Sequence, residues 1–274
     1  MTTDCFSGGS TTSAQIAGQP GDGIQGGGTR LAKAFPPRTG LAKPGAMPRP
    51  SPVRLAIFDC DGTLVDSQHN ICHAVELAFE GSQLAPPPRA AIRRIVGLSL
   101  VEAMRQLLPQ ADDALHQRLA QDYKDAFFKA RAAGAMAGEP LYDGIAELLD
   151  QLADDGWTMG VATGKSDRGL AHILAHHGIT HRFVTLQTAD RHPSKPHPAM
   201  IEAAMAEAGA TAAATVMIGD TSFDMEMARA GAVHALGVGW GYHPAEELLA
   251  AGAHQVVEDA PALLAALAAA GARP

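Results

Sequence analysis

The fold of this chain is decided by the stretch AIFDCDGTLVDS, residues 56–67. The mostly apolar run 53–58 is typical of a parallel strand that is buried on both faces. The run ends at Asp59, and Gly62 then permits a turn that most residues resist. Asp59 and Asp61 are two residues apart, a spacing that can point both carboxylates to one side of an extended chain. A divalent cation would relieve their repulsion, although acidic residues are also ordinary in turns.

Composition limits the function classes that need to be considered. The 274 residues carry a net charge of −8, and 46% of them are hydrophobic. No block of Lys or Arg is long enough to follow a nucleic-acid backbone, so we expect neither a nucleic-acid nor an anionic-membrane partner. No apolar stretch reaches about 18 residues, and the first residues do not resemble a signal peptide. The sparse cysteines Cys5, Cys60 and Cys72 fit a reducing cytoplasm.

Residues 1–50 differ from the remainder of the chain. They are rich in Gly, Ser, Thr and Pro and hold few large apolar residues, so we expect a disordered tail. Residues 21–26 match the dinucleotide pattern G-x-G-x-x-G, but no strand precedes them and no periodic helix follows. We therefore assign this motif no function. Our hypothesis is that Met47 is the native start, because a composition typical of folded chains begins just after it.

The remaining chain reads as two kinds of structure. Helical patterns fill residues 68–140, with Ser67 as the expected N-cap of the first helix, and predict an all-helical cap. From residue 141 onward helices alternate with strands, including one predicted at 183–186, and Gly271 is expected just past the last helix. The predicted fold class is α/β: a doubly wound parallel sheet formed by residues 51–67 and 141–274, with the cap inserted.

Polar residues follow several predicted strands of this sheet. Besides the two aspartates after the first strand, they are Thr163-Gly164, Asp220 with Asp224 four residues later, and Lys195 before a helix. Taken singly, each is more often a turn, a cap or a surface charge. Ligands bind beyond the carboxyl ends of parallel strands, so together these residues predict one catalytic site.

In chain order, four motifs resemble those of the haloacid dehalogenase (HAD) superfamily: Asp59-x-Asp61, the strand-ending Thr163, Lys195 before a helix, and Asp220-x-x-x-Asp224. The likeness covers residues 53 to about 257, and the helical insertion resembles the superfamily's cap. The nearest subgroup is the phosphoglycolate phosphatase-like hydrolases. The resemblance implies a Mg²⁺-dependent phosphatase that acts on a small phosphorylated metabolite through an aspartyl-phosphate. We expect a monomer or a homodimer.

The resemblance also implies a role for each site residue. Asp59 would be the nucleophile, and Asp61 the general acid and then the base that activates water. Mg²⁺ would be held by Asp59, Asp220 and the backbone carbonyl of Asp61, with Asp224 supporting the metal shell.

The resemblance implies that residues at the strand ends bind the phosphate group and that residues of the cap determine which substrate is accepted. Thr163 and the Gly164 amide would hold phosphate oxygens, and Lys195 would neutralise developing charge. In the cap, Arg93 and Gly97 are the candidate substrate-binding residues, although such arginines as often only coat a helix.

The same motifs bear on three other activities of the superfamily. Asp61 argues against a true dehalogenase, and the cap lysines do not match a phosphonatase. A sugar phosphomutase shares all four motifs and stays open, as does a non-catalytic binding protein.

The histidines between 172 and 181 lack a local carboxylate partner, so we expect them on a solvent-exposed helix face and not at a metal site.

Overall fold

The computed structural model describes residues 52–271. The predictions for residues 1–50, namely the disordered tail, the start at Met47 and the incidental glycine motif, lie outside the described residues. Within residues 52–271 no helix is both long and apolar enough to cross a lipid bilayer.

Six parallel strands form one sheet in the order β3-β2-β1-β4-β5-β6. Their bounds are β1 Leu55–Phe58, β2 Thr158–Thr163, β3 Thr185–Thr188, β4 Thr215–Gly219, β5 His234–Val238 and β6 Gln255–Val257. The first strand lies in the middle, where Leu55 pairs with Thr158 on one side and Thr215 on the other. The predicted doubly wound sheet is confirmed, and the carboxyl ends of β1, β2 and β4 therefore meet at one edge.

Helices cover both faces of the sheet. They are α5 Ile145–Asp154, α6 Asp167–His176, α7 Ala199–Ala208, α8 Ser222–Ala230, α9 Ala245–Ala251 and α10 Ala260–Gly271. Side chains of β1 alternate between the two layers, since Ala56 and Phe58 belong to the apolar cluster with α5, α6 and α10. Leu55 and Ile57 belong to the cluster with α7, α8 and α9. Burying a residue such as Phe58 contributes about 2–3 kcal/mol, which fixes the strand that carries the catalytic motif.

The segment inserted between β1 and α5 contains four α-helices within the part of the chain that the structure describes. They are α1 Gln68–Gly81, α2 Arg89–Arg93, α3 Leu100–Leu107 and α4 Asp113–Ala132. Apolar side chains from all four, among them Phe79, Ile92, Met104 and Leu119, form a separate third cluster. Phe223 and Tyr242 of the sheet domain also pack against this cluster. A cap at 68–140 and a catalytic core at 51–67 and 141–274 therefore remain a proposed division.

The segment leaves and re-enters the core at neighbouring points. Asp66 N–H donates to the Pro140 carbonyl at 2.9 Å, and Tyr142 N–H donates to the Leu64 carbonyl at 3.0 Å. The two connections between the inserted segment and the core therefore lie side by side.

Two local predictions were wrong, and one was right only in position. Ser67 is the N-cap residue of α1, as predicted, but its hydroxyl makes no capping hydrogen bond within the described residues, because its ψ of 2° is not extended. The third strand begins at Thr185 and not at Phe183, since Phe183 directly follows the 3₁₀ helix Thr180–Arg182 and packs its ring against Phe58. Helix α10 includes Gly271, which was expected just beyond it.

Candidate active site

Asp59 begins the site at the carboxyl end of β1. Its side chain is fully buried, and the Cys60 N–H donates to Asp59 Oδ1 at 2.6 Å. The other oxygen, Asp59 Oδ2, is buried without a hydrogen-bond partner among the described residues. Gly62 follows at φ +83°, and a Cβ there would lie 2.1 Å from Asp220 Oδ2. Only glycine therefore lets the turn after β1 approach the next strand end so closely.

Lys195 is the buried cation of the site. Its Nζ lies 2.9 Å from Asp59 Oδ1 and 2.6 Å from Asp224 Oδ1, and all three side chains are shielded from solvent. Burial lowers the pKa of Lys195, but the charges of Asp224 and Asp59 outweigh that effect and raise it. The ammonium group therefore stays charged and joins two carboxylates.

Asp220 and Asp224 come from the end of β4 and the first turn of α8. Asp220 Oδ1 accepts from the Thr63 hydroxyl at 2.8 Å, and Oδ2 accepts from Tyr242 N–H at 2.9 Å. Asp224 Oδ2 accepts from the hydroxyl of Thr221 at 2.7 Å and from its N–H at 3.1 Å, which forms a capping box at the start of α8. Both carboxylates are thus held rigidly by the two elements that present them.

Asp59, Asp220 and Asp224 form an acidic cluster in which one oxygen from each lies within 4.8 Å of the others. Burial, followed by the charges of Asp224 and Asp61, raises the pKa of Asp59 to about 7 against the opposing effect of Lys195. Burial and the neighbouring Asp224 and Asp59 also raise the pKa of Asp220 well above its usual range. One lysine does not offset three buried carboxylates, and one oxygen of each carboxylate lies close enough to the others to share a small ion. The donor set therefore fits a small divalent cation.

Asp61 lies outside this cluster and pairs with Lys165. The two charged atoms, Lys165 Nζ and Asp61 Oδ1, are 2.8 Å apart, and both side chains are nearly buried. Burial lowers the pKa of Lys165, but the charge of Asp61 more than compensates and raises it. Sequence analysis gave Lys165 no role, although a cation two residues after a strand-ending threonine was a signal for one.

Thr163 and Gly164 lie where β2 ends. The buried Thr163 Oγ1 accepts from Lys165 N–H at 3.2 Å, and α6 begins just beyond, with Ser166 Oγ accepting from Gly169 N–H at 3.2 Å. A Cβ on Gly164 would lie 2.5 Å from the Leu98 carbonyl oxygen. The cap loop therefore packs directly on the backbone of this strand end.

The cap loop contributes Gly97 but not Arg93. Gly97 has φ +98°, and a Cβ there would lie 3.8 Å from Asp59 Oδ2, so this glycine borders the acidic cluster. Arg93 is exposed and is not among the residues that line the cavity between cap and core. Its neighbour Arg94 forms an ion pair with Glu247 at 2.6 Å. The predicted role of Arg93 in substrate binding therefore gains no support from its position.

Cys60 and the histidines between 172 and 181 are not part of the candidate active site. Cys60 is buried in the sheet core, as strand alternation predicts. His172 and His176 are exposed, while a ring nitrogen of His177 lies 2.8 Å from the Glu139 carbonyl oxygen. In residues 52–271 the only cluster of three or more metal-ligand side chains is the aspartate cluster.

Comparison with known proteins gives a consistent result. The family model described as haloacid dehalogenase-like hydrolase matches residues 56–238. The chain is 35% identical over 208 residues to "Probable phosphatase IndB" of Dickeya dadantii, covering 74% of this chain and 89% of the relative. It is 31% identical over 198 residues to "Phosphoglycolate phosphatase" of Agrobacterium fabrum, covering 69% and 81%.

A solved structure matches over the same region. It is the crystal structure of "a predicted phosphatase from Clostridium acetobutylicum", with a TM-score of 0.72 and 27% sequence identity. The alignment covers 80% of this chain and all of that one.

Proposed function

The chain belongs to the haloacid dehalogenase-like hydrolases and is a phosphatase, and we propose that it hydrolyses a small phosphate monoester through an aspartyl-phosphate on Asp59. One observation carries the proposal: Lys195 Nζ holds Asp59 Oδ1 at 2.9 Å, and Asp59 Oδ2 has no partner among the described residues. One oxygen is thereby anchored, and the other is available to attack.

In the first step Asp59 Oδ2 attacks phosphorus and the bond from phosphorus to the ester oxygen breaks. Asp61, when protonated, donates its proton to the departing oxygen, which leaves as an alcohol. Lys195 offsets the negative charge that gathers on the phosphoryl group, and the Gly164 amide together with Thr163 orients its oxygens. The ion pair with Lys165 keeps Asp61 in position beside the reacting atoms.

In the second step Asp61 accepts a proton from water, and the resulting hydroxide attacks phosphorus. The bond between phosphorus and Asp59 breaks, which restores the carboxylate and releases inorganic phosphate. The enzyme ends as it began, because the proton that Asp61 gave to the alcohol is replaced by the one taken from water.

We propose Mg²⁺ as the cofactor, held by Asp59, Asp220 and the backbone carbonyl of Asp61. When bound, it supplies positive charge that offsets the carboxylates and the phosphoryl oxygens. Asp224 would support this site from behind, since both of its oxygens already accept from Lys195 and Thr221. A cytoplasmic location is also proposed, on the basis of the sparse cysteines of the sequence.

The test is phosphate release from a panel of small phosphate esters, with Mg²⁺ and with a chelator. We expect turnover that requires Mg²⁺ and that falls about 10⁴-fold or more in Asp59→Asn. Full activity in that variant would remove Asp59 as the nucleophile. Isomerised sugar phosphate with little free phosphate would indicate a mutase, and no turnover on any ester would favour a binding protein.

A further inference from the structure

A cavity of about 90 Å³ adjoins the reacting groups between cap and core. Asp61, Gly97 and Gly164 form the end of the cavity next to the reacting groups, so the cavity begins where the organic part of a bound ester would leave phosphorus. This inference rests on the proposed function, because the occupant considered is the leaving group of the substrate.

The walls of the cavity are mainly apolar. They include Ile71 and Val75 of α1, Met104 of α3, Phe127 and Phe128 of α4, and Ile95. Met104 is completely buried and Val75 nearly so. These apolar side chains offer dispersion contacts and no compensation for a polar group taken from water. Tyr123 and Ser166 are the uncharged polar side chains that also line the cavity.

The cations that line the cavity already have anionic partners. Lys165 pairs with Asp61 at 2.8 Å, and Arg131 pairs with Glu139 while its guanidinium lies 4.7 Å from the centre of the Phe127 ring. Lys124, at the rim, has Asp190 at 3.9 Å and is 39% exposed. A carboxylate on the leaving group would have to displace one of these partners or remain buried without a counter-ion.

From these contacts we propose that the substrate is a phosphate monoester with a small, uncharged, apolar leaving group, and that a leaving group bearing a carboxylate is disfavoured. A cavity of this size admits several water-sized groups, because about 10–15 Å³ is enough for one. A branched alkyl group of about four carbon atoms therefore fits in it. Specificity then comes from α1, α3 and α4, whereas the phosphoryl group is held by the sheet edge.

Isobutyl phosphate and phosphoglycolate make a matched pair for the test. In each compound the ester oxygen is bonded to a CH₂ group. That CH₂ carries a CH with two methyl groups in isobutyl phosphate and a carboxylate in phosphoglycolate. Glycolate is the better leaving group, so chemical reactivity opposes the expected order. We expect kcat/KM to be about tenfold or more higher for isobutyl phosphate, the size of effect that apolar pockets achieve.

Two variants locate the preference. Met104→Gln places an amide against the cavity, and Leu119→Gln places one in the same apolar cluster away from it; both native residues are completely buried. We expect Met104→Gln to lower the ratio of the two kcat/KM values several-fold and Leu119→Gln to leave it unchanged. Inhibition by inorganic phosphate, which has no leaving group to occupy the cavity, checks that each variant is folded.

The two kcat/KM values of the wild-type enzyme test the proposal even if a variant does not fold. Equal or better use of phosphoglycolate would overturn the proposal, as would hydrolysis of an aryl phosphate with none of isobutyl phosphate. An equal fall of the ratio in both variants would also overturn the assignment to this cavity. If no phosphate ester is hydrolysed at all, the proposed function itself fails, a result distinct from the wrong preference.

Discussion

Lys195 Nζ lies 2.9 Å from Asp59 Oδ1, and neither side chain is accessible to solvent. The lysine precedes α7 and the aspartate ends β1, so the contact exists only when the sheet has assembled. The same ammonium contacts Asp224 at 2.6 Å, which makes it the counter-ion for two buried carboxylates. Stability and chemistry therefore depend on the same three side chains.

Replacing Lys195 by Met tests this dependence. The change leaves Asp59 and Asp224 buried without their counter-ion, so we expect a loss of about 3–5 kcal/mol in the free energy of unfolding. Lys129→Met, at an exposed position of α4, is the control and should stay within about 0.5 kcal/mol of the wild type. Urea denaturation measures both. A loss below about 1 kcal/mol for Lys195→Met would show that the buried pair contributes little.

Asp220→Asn is expected to stabilise the metal-free protein and to weaken its response to Mg²⁺. Its pKa is raised well above normal by burial and then by Asp224 and Asp59, so the charged form is costly in the folded state. Removing the charge should raise Tm without metal by a few degrees. Thermal unfolding with Mg²⁺ and with a chelator gives the comparison. A variant that is less stable without metal, or that keeps the full Mg²⁺ shift, would contradict the expected role.

The pKa of Asp59 predicts how stability depends on pH in the absence of metal. Burial, with Asp224 and Asp61, raises it to about 7 from an ordinary value of 3.8. The folded state then holds the proton more tightly than the unfolded chain, so its stabilising effect is present below about pH 4 and is lost as pH rises to about 7. The slope is up to about 1.4 kcal/mol per pH unit.

Asp59→Asn supplies the reference for this pH effect, since other groups titrate in the same range. In the presence of a chelator, the stability of wild type minus that of Asp59→Asn should fall between about pH 4 and about pH 7. A difference that is flat across this range would mean that Asp59 keeps an ordinary pKa.

Gly164→Ala tests whether the observed packing of the cap loop is needed for turnover. The new Cβ would lie 2.5 Å from the Leu98 carbonyl oxygen, so the loop that also carries Gly97 must move away. We expect kcat/KM to fall by about tenfold or more, because small misplacements at a reacting centre are costly. Stability should change little, since the cap can open. In Gly81→Ala the Cβ meets no atom within 4 Å, and equal activity in the two variants would argue against a role for this contact.

The sequence predicted the parallel sheet because alternating apolar runs and strand-ending polar residues leave few other arrangements. It also predicted that Asp59, Lys195, Asp220 and Asp224 would lie together, since the ends of β1 and β4 are neighbours and the lysine precedes a helix of the same sheet. The position of Lys165 after a strand-ending threonine indicated a role near the site, but its pairing with Asp61 depends on how the turn at Lys165 folds back.

The cap was harder to interpret from sequence. Arg93 was a candidate because a cation suits an anionic substrate, yet helix α2 leaves it exposed. The residues that do line the cavity, such as Met104 and Phe127, looked like ordinary core residues. A helix that packs against another helix and one that faces a cavity have the same apolar sequence pattern. The start of β3 was misplaced for a related reason, since Phe183 is buried just after the 3₁₀ helix Thr180–Arg182 and the strand that follows includes the polar Gln187.

The most direct test of the central claim is transfer of phosphate to Asp59. The enzyme is mixed with a phosphoryl-labelled substrate and Mg²⁺, quenched in acid during turnover, reduced with borohydride and digested for mass spectrometry. The account predicts modification of Asp59 in the peptide around residues 56–67, and none in Asp59→Asn. Rapid turnover with no modified residue, or with modification at a different carboxylate, would contradict it.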